Sequence, residues 1–189
     1  MKQAPNQSII IHLNGMPGVG KFTVAKYLAK FIKAKLIDNH LLIDLAVSIV
    51  NRGSSEYKKF IMELMDSVLH LIPKRSGRVY IFTNSLTAEY IEDRQRFEQI
   101  KQFAEHHDIP FIQILLDCDW QTNKLRLVSK DRKVKSKLTD PIEFEKLKDI
   151  TMYHPPTKHS LIIDTTHSTA EETATKIKSY LESFNFLGS

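Results

Sequence analysis

Apolar residues along the chain follow two patterns, short continuous runs and longer stretches in which they recur every three or four positions. The continuous runs are SIIIHL (8–13), AKLID (34–38), RVYIFTN (78–84), PFIQILLD (110–117) and SLIID (160–164). Such runs are typical of strands that are covered on both faces of a parallel sheet. They predict five buried strands.

The stretches between these runs have the spacing of amphipathic helices. The clearest one follows the first strand and contains Val24, Tyr27, Leu28, Phe31 and Ile32. The remaining helices are predicted within 40–50, 57–71, 91–103, 141–150 and 170–181. Strands that alternate with helices predict a three-layer α/β domain with a five-stranded parallel sheet, which binds its ligands at the carboxyl ends of the strands.

Composition supports one globular domain and argues against a membrane span. The chain has 189 residues, of which 42% are hydrophobic and 26% charged. Its longest apolar runs are far shorter than the roughly 20 residues that cross a bilayer, and the first residues, MKQAPNQS, lack the apolar region of a signal peptide. We therefore expect a cytoplasmic protein. Cys118 is the single cysteine and predicts neither a disulfide nor a thiolate metal site.

The positive charge is concentrated in one segment. Net charge is +5, yet the stretch KLRLVSKDRKVKSK at 124–137 carries seven cations against one anion, which leaves the rest of the chain close to neutral. One short basic segment on a neutral body favours binding of a small polyanion over a nucleic-acid surface.

The strongest motif is the stretch NGMPGVGKFT at 14–23, which joins the first strand to the first helix. Gly15, Gly18 and Gly20 let the backbone curl so that its N–H groups point at one centre, and the helix start adds positive potential. Lys21 then reaches the β- and γ-phosphates of a nucleotide. A phosphate-binding loop usually has Ser or Thr after this lysine, whereas here the residue is Phe22 and the hydroxyl comes at Thr23.

The stretch GMPGVGKFT resembles the loop of adenylate kinases and related small P-loop kinases, in which a threonine follows one residue later. The resemblance implies a single domain over 1–189, with a short basic lid at about 124–140. It implies ATP and Mg²⁺ as cofactors, with Thr23 on the α-phosphate and close to a metal held largely through water. The implied cofactor-binding residues of the loop are Gly15, Pro17, Gly18, Val19, Gly20, Lys21, Phe22 and Thr23.

Further candidates follow the later strands. LIDNH resembles the place where shikimate-kinase-like enzymes keep acidic residues, so Asp38 is the candidate for a metal ligand or a catalytic carboxylate, although it can equally cap the next helix. His40 is a candidate contact of the acceptor. LRLVSKDR resembles the lid arginines, so Arg126 and Arg132 are candidates to stabilise the transferring phosphoryl group, with a solvated basic face as the alternative.

The final strand and loop, SLIIDTTHSTAEE, resemble the part of these kinases that flanks the adenine, which makes Asp164 and Thr165 candidates for nucleotide binding. Asp117 and Asp119 also follow a strand and are alternative carboxylates for a metal-bound water, although helix capping explains at least one of them.

The segment after the third strand, which should contact the phosphoryl acceptor, differs from that of adenylate kinases and of shikimate kinases. The Asp-Gly-Phe-Pro-Arg run of adenylate kinases and the Gly-Gly motif of shikimate kinases are replaced by IFTNSLTAEY, in which Asn84 and its neighbours offer neutral hydrogen-bonding groups. These groups suit a hydroxyl-bearing acceptor. We therefore expect an ATP-dependent phosphotransferase that acts on a small molecule. The alternatives are a nucleoside or nucleotide kinase with an atypical acceptor site and a nucleotide-binding regulator or nucleic-acid-associated ATPase.

Overall fold

The computed structural model describes residues 7–73, 76–128, 138 and 140–187. The strands are β1 (Ile9–Gly15), β2 (Lys35–Asp38), β3 (Val79–Thr83), β4 (Phe111–Asp117) and β5 (Ser160–Asp164). The helices are α1 (Lys21–Phe31), α2 (Asn39–Val47), α3 (Ser55–His70), α4 (Ile91–His106), α5 (Trp120–Leu127), α6 (Pro141–Glu145) and α7 (Ala170–Ser183). No helix among these residues is long and apolar enough to cross a membrane.

The five strands form one parallel sheet in the order β2-β3-β1-β4-β5, which confirms the predicted fold class. β1 lies at the centre, where Ile11 pairs with Ile81 of β3 on one side and with Ile112 of β4 on the other. Because β1 has a neighbour on both edges and helices on both faces, its residues are buried along its whole length.

Two apolar cores hold the layers together. β1 contributes to both, because its successive side chains point to opposite faces of the sheet. Ile9, Ile11 and Leu13 face the core that contains the apolar sides of α1 and α7. Ile10 faces the opposite core, which is formed with α2, α3 and α4. The alternation follows from the two-residue period of a strand, and it produces the predicted three-layer arrangement.

The connections between strands open a crevice beside β1. From β1 the chain crosses to β2, at one edge of the sheet, whereas from β3 it crosses past β1 to β4, on the other side. Where neighbouring strands send the chain in opposite directions, the loops at their carboxyl ends separate and leave room for a ligand.

Two helices are shorter than the sequence predicts. α2 ends at Val47 instead of position 50. α6 begins as expected, with Asp140 accepting a hydrogen bond from the Ile142 N–H, but it ends at Glu145 instead of position 150. Beyond that point Leu147 N–H bonds to Phe144, three residues back, so the chain tightens into turns rather than continuing the α-helical pattern.

Candidate active site

A continuous cleft of about 1130 Å³ lies at the carboxyl ends of the strands. One end is formed by the glycine-rich loop, α5 and the loop between β5 and α7. The other end is formed by the ends of β2 and β3 and by facing residues of α3 and α4. The cleft is therefore large enough to hold two small molecules side by side.

The glycine-rich loop (14–20) needs glycine for two different reasons. Gly15, Gly18 and Gly20 all have positive φ, at 152°, 100° and 100°. A Cβ on Gly15 would lie 2.4 Å from the Leu116 carbonyl oxygen, and one on Gly18 would lie 2.3 Å from Asn123 Oδ1. A Cβ on Gly20 would meet nothing within 4 Å. The first two glycines therefore allow tight packing, whereas the third is required by its φ, which residues with a Cβ rarely adopt.

Lys21 is the first residue of α1, and its side chain folds back over the loop. Its Nζ donates to the carbonyl oxygens of Gly15, at 2.6 Å, and Met16, at 2.9 Å. The first turn of α1 has no acidic residue, and its N-cap, Gly20, has no side chain to bond the free N–H groups. The start of α1 thus combines a cation with backbone donors, which suits a phosphate group.

The two residues after Lys21 differ in their surroundings. Phe22 is half-buried, and Lys26 Nζ lies 5.7 Å from the centre of its ring. Thr23 is exposed and lines the cleft. The Thr23 hydroxyl, which lies one residue later than the hydroxyl of the usual phosphate-binding loop, is therefore accessible from the cleft.

Asp38 ends β2 and is only 3% exposed. Its Oδ1 accepts hydrogen bonds from the His40 N–H at 3.3 Å and from Thr83 Oγ1 at 3.1 Å. The carboxylate thus caps α2, as one of its two interpretations predicts, and it also lines the cleft. The second bond joins the ends of β2 and β3, so Asp38 is held in place from two sides.

Asn84 follows β3 and also lines the cleft, at 2% exposure. Behind it lies His12, a fully buried residue of β1 whose ring packs edge-on against Phe97. Burial lowers the pKa of His12 to about 4, although the nearby Asn84 side chain acts in the opposite direction. His12 is therefore neutral at physiological pH.

Arg126 lies across the cleft, on α5, and its guanidinium is held by the loop after β5. Its Nη1 donates to Thr165 Oγ1 at 3.0 Å and its Nη2 to the Thr165 carbonyl oxygen at 2.8 Å. Thr165 Oγ1 in turn donates to the Asp117 carbonyl oxygen at 2.9 Å. Arg126 and Thr165 therefore form one unit beside the glycine-rich loop.

The structure brings together most of the residues predicted from the sequence. Those that line the cleft are Pro17, Gly18, Val19, Gly20, Lys21, Phe22, Thr23, Asp38, His40, Asn84, Arg126 and Thr165. Gly15 and Asp164 are not among the lining residues; the Asp164 carboxylate accepts a hydrogen bond from the Thr166 N–H. Arg132, and with it most of the lid predicted at 124–140, lies outside the described residues.

Sequence reasoning assigned no role to Asn14, which begins the glycine-rich loop at the end of β1. Its Nδ2 donates to the carbonyl oxygens of Leu86 and Tyr153, both at 2.9 Å, and its Oδ1 accepts from the Leu86 N–H at 2.8 Å. Leu86 and Tyr153 also bond to each other through their backbones. Asn14 thus ties the end of β1 to the segment after β3 and to the segment before β5. These partners are 72 and 139 residues away in sequence, so no local pattern reveals them.

We expect Asn14→Ala to lower the free energy of unfolding by about 2–4 kcal/mol, because it leaves a buried N–H without an acceptor and removes a donor from two carbonyls. Urea unfolding measures the loss. The control is Asn51→Ala, an exposed position where we expect a change within about 0.5 kcal/mol. A loss below about 1 kcal/mol for Asn14→Ala would mean that water replaces the amide.

Solved kinase structures have the same fold. A gluconokinase from Sinorhizobium meliloti 1021 is 13% identical to the chain, with a TM-score of 0.62 and 100% of both chains covered. The APS kinase of Mycobacterium tuberculosis, in complex with AMPPNP and APS, is 15% identical, with a TM-score of 0.61 over 93% of this chain and 98% of that chain. A shikimate kinase from Acinetobacter baumannii, in complex with shikimate, is 15% identical, with a TM-score of 0.57 over 93% of this chain and 94% of that chain.

The chain has a P-loop kinase-like fold. At this level of identity the three structures show the fold alone. No protein-family model and no curated protein sequence matches the chain. The solved structures therefore confirm the P-loop kinase-like fold that the glycine-rich loop suggests.

Proposed function

We propose that the protein is an ATP-dependent kinase that transfers the γ-phosphoryl group to a hydroxyl of a small molecule. The observation that supports this proposal best is the continuous cleft that joins the glycine-rich loop and Lys21 to the buried carboxylate of Asp38. One end of the cleft suits a nucleoside triphosphate. The other end contains Asp38, which is a candidate general base. The kinase names of the structures with the same fold agree with this assignment.

The nucleotide end is assembled from three parts. The backbone N–H groups of the glycine-rich loop and the start of α1 bind the phosphates, and Lys21 adds a positive charge. Thr23 contacts the α-phosphate. Arg126, oriented by Thr165, and Arg132 stabilise charge on the transferring phosphoryl group. The presence of AMPPNP in the APS kinase structure supports a nucleotide at this end.

The cleft also offers hard oxygen donors of the kind that Mg²⁺ prefers, namely the Thr23 hydroxyl and the Asp38 carboxylate. No group of three or more His, Cys, Asp or Glu side chains within the described residues could hold a metal by itself. We propose that the Thr23 hydroxyl, the phosphates and water hold Mg²⁺, and that Asp38 contacts the ion only through a metal-bound water. When bound, the ion supplies positive charge that neutralises the phosphate oxygens.

Asp38 has the position expected of a general base. It lies in the same cleft as the phosphate loop, at the end of a strand that β3 separates from β1, and the hydrogen bonds from Thr83 and His40 fix its orientation. A carboxylate that is held in this way can take the proton of an acceptor hydroxyl as the hydroxyl attacks phosphorus.

The proposal is tested by phosphate transfer from γ-labelled ATP. The protein is incubated with Mg²⁺, labelled ATP and a panel of sugars, nucleosides, nucleotides and antibiotics. We expect label in at least one acceptor and binding of ATP in the absence of any acceptor. A folded protein that binds no ATP would contradict the proposal.

The loop assignment predicts different effects at two adjacent positions. We expect Thr23→Ala to weaken ATP binding by about tenfold or more, because a hydrogen bond to a charged group is lost. We expect Phe22→Ser to weaken it by less than about threefold, since Phe22 is assigned no phosphate contact. Titration of a fluorescent ATP analogue measures both affinities. The reverse order of effects would mean that the loop is aligned one residue out of place.

A further inference from the structure

The acceptor end of the cleft has as many cationic as anionic side chains within the described residues. The cations are Arg52, Lys58 and Arg96, and the carboxylates are Asp38, Glu92 and Asp93. The wall that they form is therefore neutral overall, unlike the phosphate end.

Two of the three cations are already paired. Lys58 Nζ lies 2.6 Å from Glu92 Oε1, and this contact joins α3 to α4 across the mouth of the cleft. Arg96 lies 4.0 Å from Asp93, and both side chains are 14% exposed. The other carboxylate oxygen of Asp93 accepts hydrogen bonds from the N–H and the hydroxyl of Thr87. An anionic acceptor would have to share these two cations with their carboxylate partners, or bind Arg52.

The side chains of this wall that have hydrogen-bonding groups left to offer are uncharged amides. Both amide atoms of Asn84 and the Oδ1 of Asn39 are buried and make no hydrogen bond of normal geometry to any described residue, although the Asn84 side chain lies close enough to His12 for a weaker hydrogen bond to the ring. A buried polar group without a partner is costly and rare in native proteins. Both amides belong to residues close to Asp38 in the fold: Asn39 is the next residue, and Asn84 follows Thr83, which bonds the Asp38 carboxylate.

On the basis of the kinase activity proposed above, we propose that the acceptor is an uncharged, polyhydroxylated molecule whose reactive hydroxyl faces Asp38 while a neighbouring hydroxyl binds the Asn84 and Asn39 amides. An amide offers both a donor and an acceptor, and a hydroxyl is both as well, so the two groups satisfy each other. Ser85, which also lines the cleft, adds a further neutral hydroxyl.

The acceptor oxygen forms a bond to the γ-phosphorus of ATP, and its proton passes to the Asp38 carboxylate. The bond between the γ-phosphorus and the β–γ bridging oxygen breaks, and ADP leaves with the bonding electrons. His12 remains neutral behind Asn84 and adds no charge to the wall.

The test compares matched pairs of acceptors that differ in one anionic group. The pairs are glucose with glucuronate, ribose with ribose 5-phosphate, glycerol with glycerol 3-phosphate and adenosine with AMP. Transfer from γ-labelled ATP gives kcat/KM for each compound. In every pair of which at least one member accepts the phosphoryl group, we expect the neutral compound to have a kcat/KM at least about tenfold higher than that of the anionic compound. Preference for the charged members, or no transfer to any neutral compound, would overturn the inference.

Two substitutions identify the groups responsible, measured on the best acceptor of the panel. Asn84→Asp keeps the size of the side chain but removes the amide donor and adds a charge, so we expect the acceptor KM to rise by about tenfold or more and the ATP KM to change by less than about twofold. Arg52→Gln is the matched control, because Arg52 is an exposed cation of the same wall. We expect it to leave both KM values within about twofold.

A large effect of Arg52→Gln together with none of Asn84→Asp would overturn the inference in favour of an anionic acceptor. Because Asn84 is buried, a thermal melt accompanies each variant. If Asn84→Asp does not fold, Asn39→Asp replaces it, since an aspartate at the start of α2 is favourable for the helix. The same rise in acceptor KM is expected, and its absence would overturn the inference. ATP binding is measured separately, so that a failure of the proposed kinase function is distinguished from a failure of the inference about the acceptor.

Discussion

Replacing Lys21 by alanine is expected to lower phosphoryl transfer by at least about 10²- to 10³-fold, the range for loss of one donor that stabilises transition-state charge. The Nζ of Lys21 donates to two carbonyls of the glycine-rich loop and lies in the cleft, outside both apolar cores. Its removal therefore affects the charge at the phosphate site more than the packing of the domain. A turnover assay and a thermal melt on the same variant separate these two effects.

Lys26→Ala is the matched control for this substitution. Lys26 lies in the same helix, also lines the cleft and is exposed, but its Nζ lies over the Phe22 ring instead of the loop carbonyls. We expect its activity to stay within about threefold of the unchanged protein. A folded Lys21→Ala variant with full activity would contradict both the loop assignment and the proposed function.

The fold was predictable because its main signals are local. Continuous apolar runs predict buried strands, and β1 is buried at every residue for the reason that its sequence indicates. The glycine-rich loop was predictable as well, since glycine spacing, lysine and helix start all lie within ten residues. Helix ends were predicted less well, as the early end of α6 shows, because an apolar periodicity does not reveal where the backbone tightens.

The acceptor end of the cleft depends on contacts that the sequence does not reveal. The pairing of Lys58 with Glu92 spans 34 residues and depends on how α3 packs against α4. The bond from Arg126 to Thr165 spans 39 residues and shows that this arginine is oriented by the loop after β5. The role of Asn14 is of the same kind. Motifs thus predict the phosphate site, whereas the charge balance around the acceptor follows only from the tertiary structure.

Asp38→Asn tests the two functions that the structure gives to one side chain. Asparagine caps a helix about as well as aspartate, and its Oδ1 can still accept from the His40 N–H and from Thr83 Oγ1. We therefore expect the melting temperature to change little. Phosphoryl transfer should fall by about 10²-fold or more, because the amide cannot take the proton of the acceptor hydroxyl.

Asp119→Asn is the matched control, because Asp119 also caps a helix. It accepts from the Thr122 N–H at 2.9 Å at the start of α5, but it is exposed and is not among the residues that line the cleft. We expect this variant to keep its activity within about threefold. If Asp38→Asn turned over at the normal rate while Asp119→Asn did not, Asp38 would be a helix cap only. The carboxylate of the reaction would then lie at the end of β4, on the other side of the glycine-rich loop.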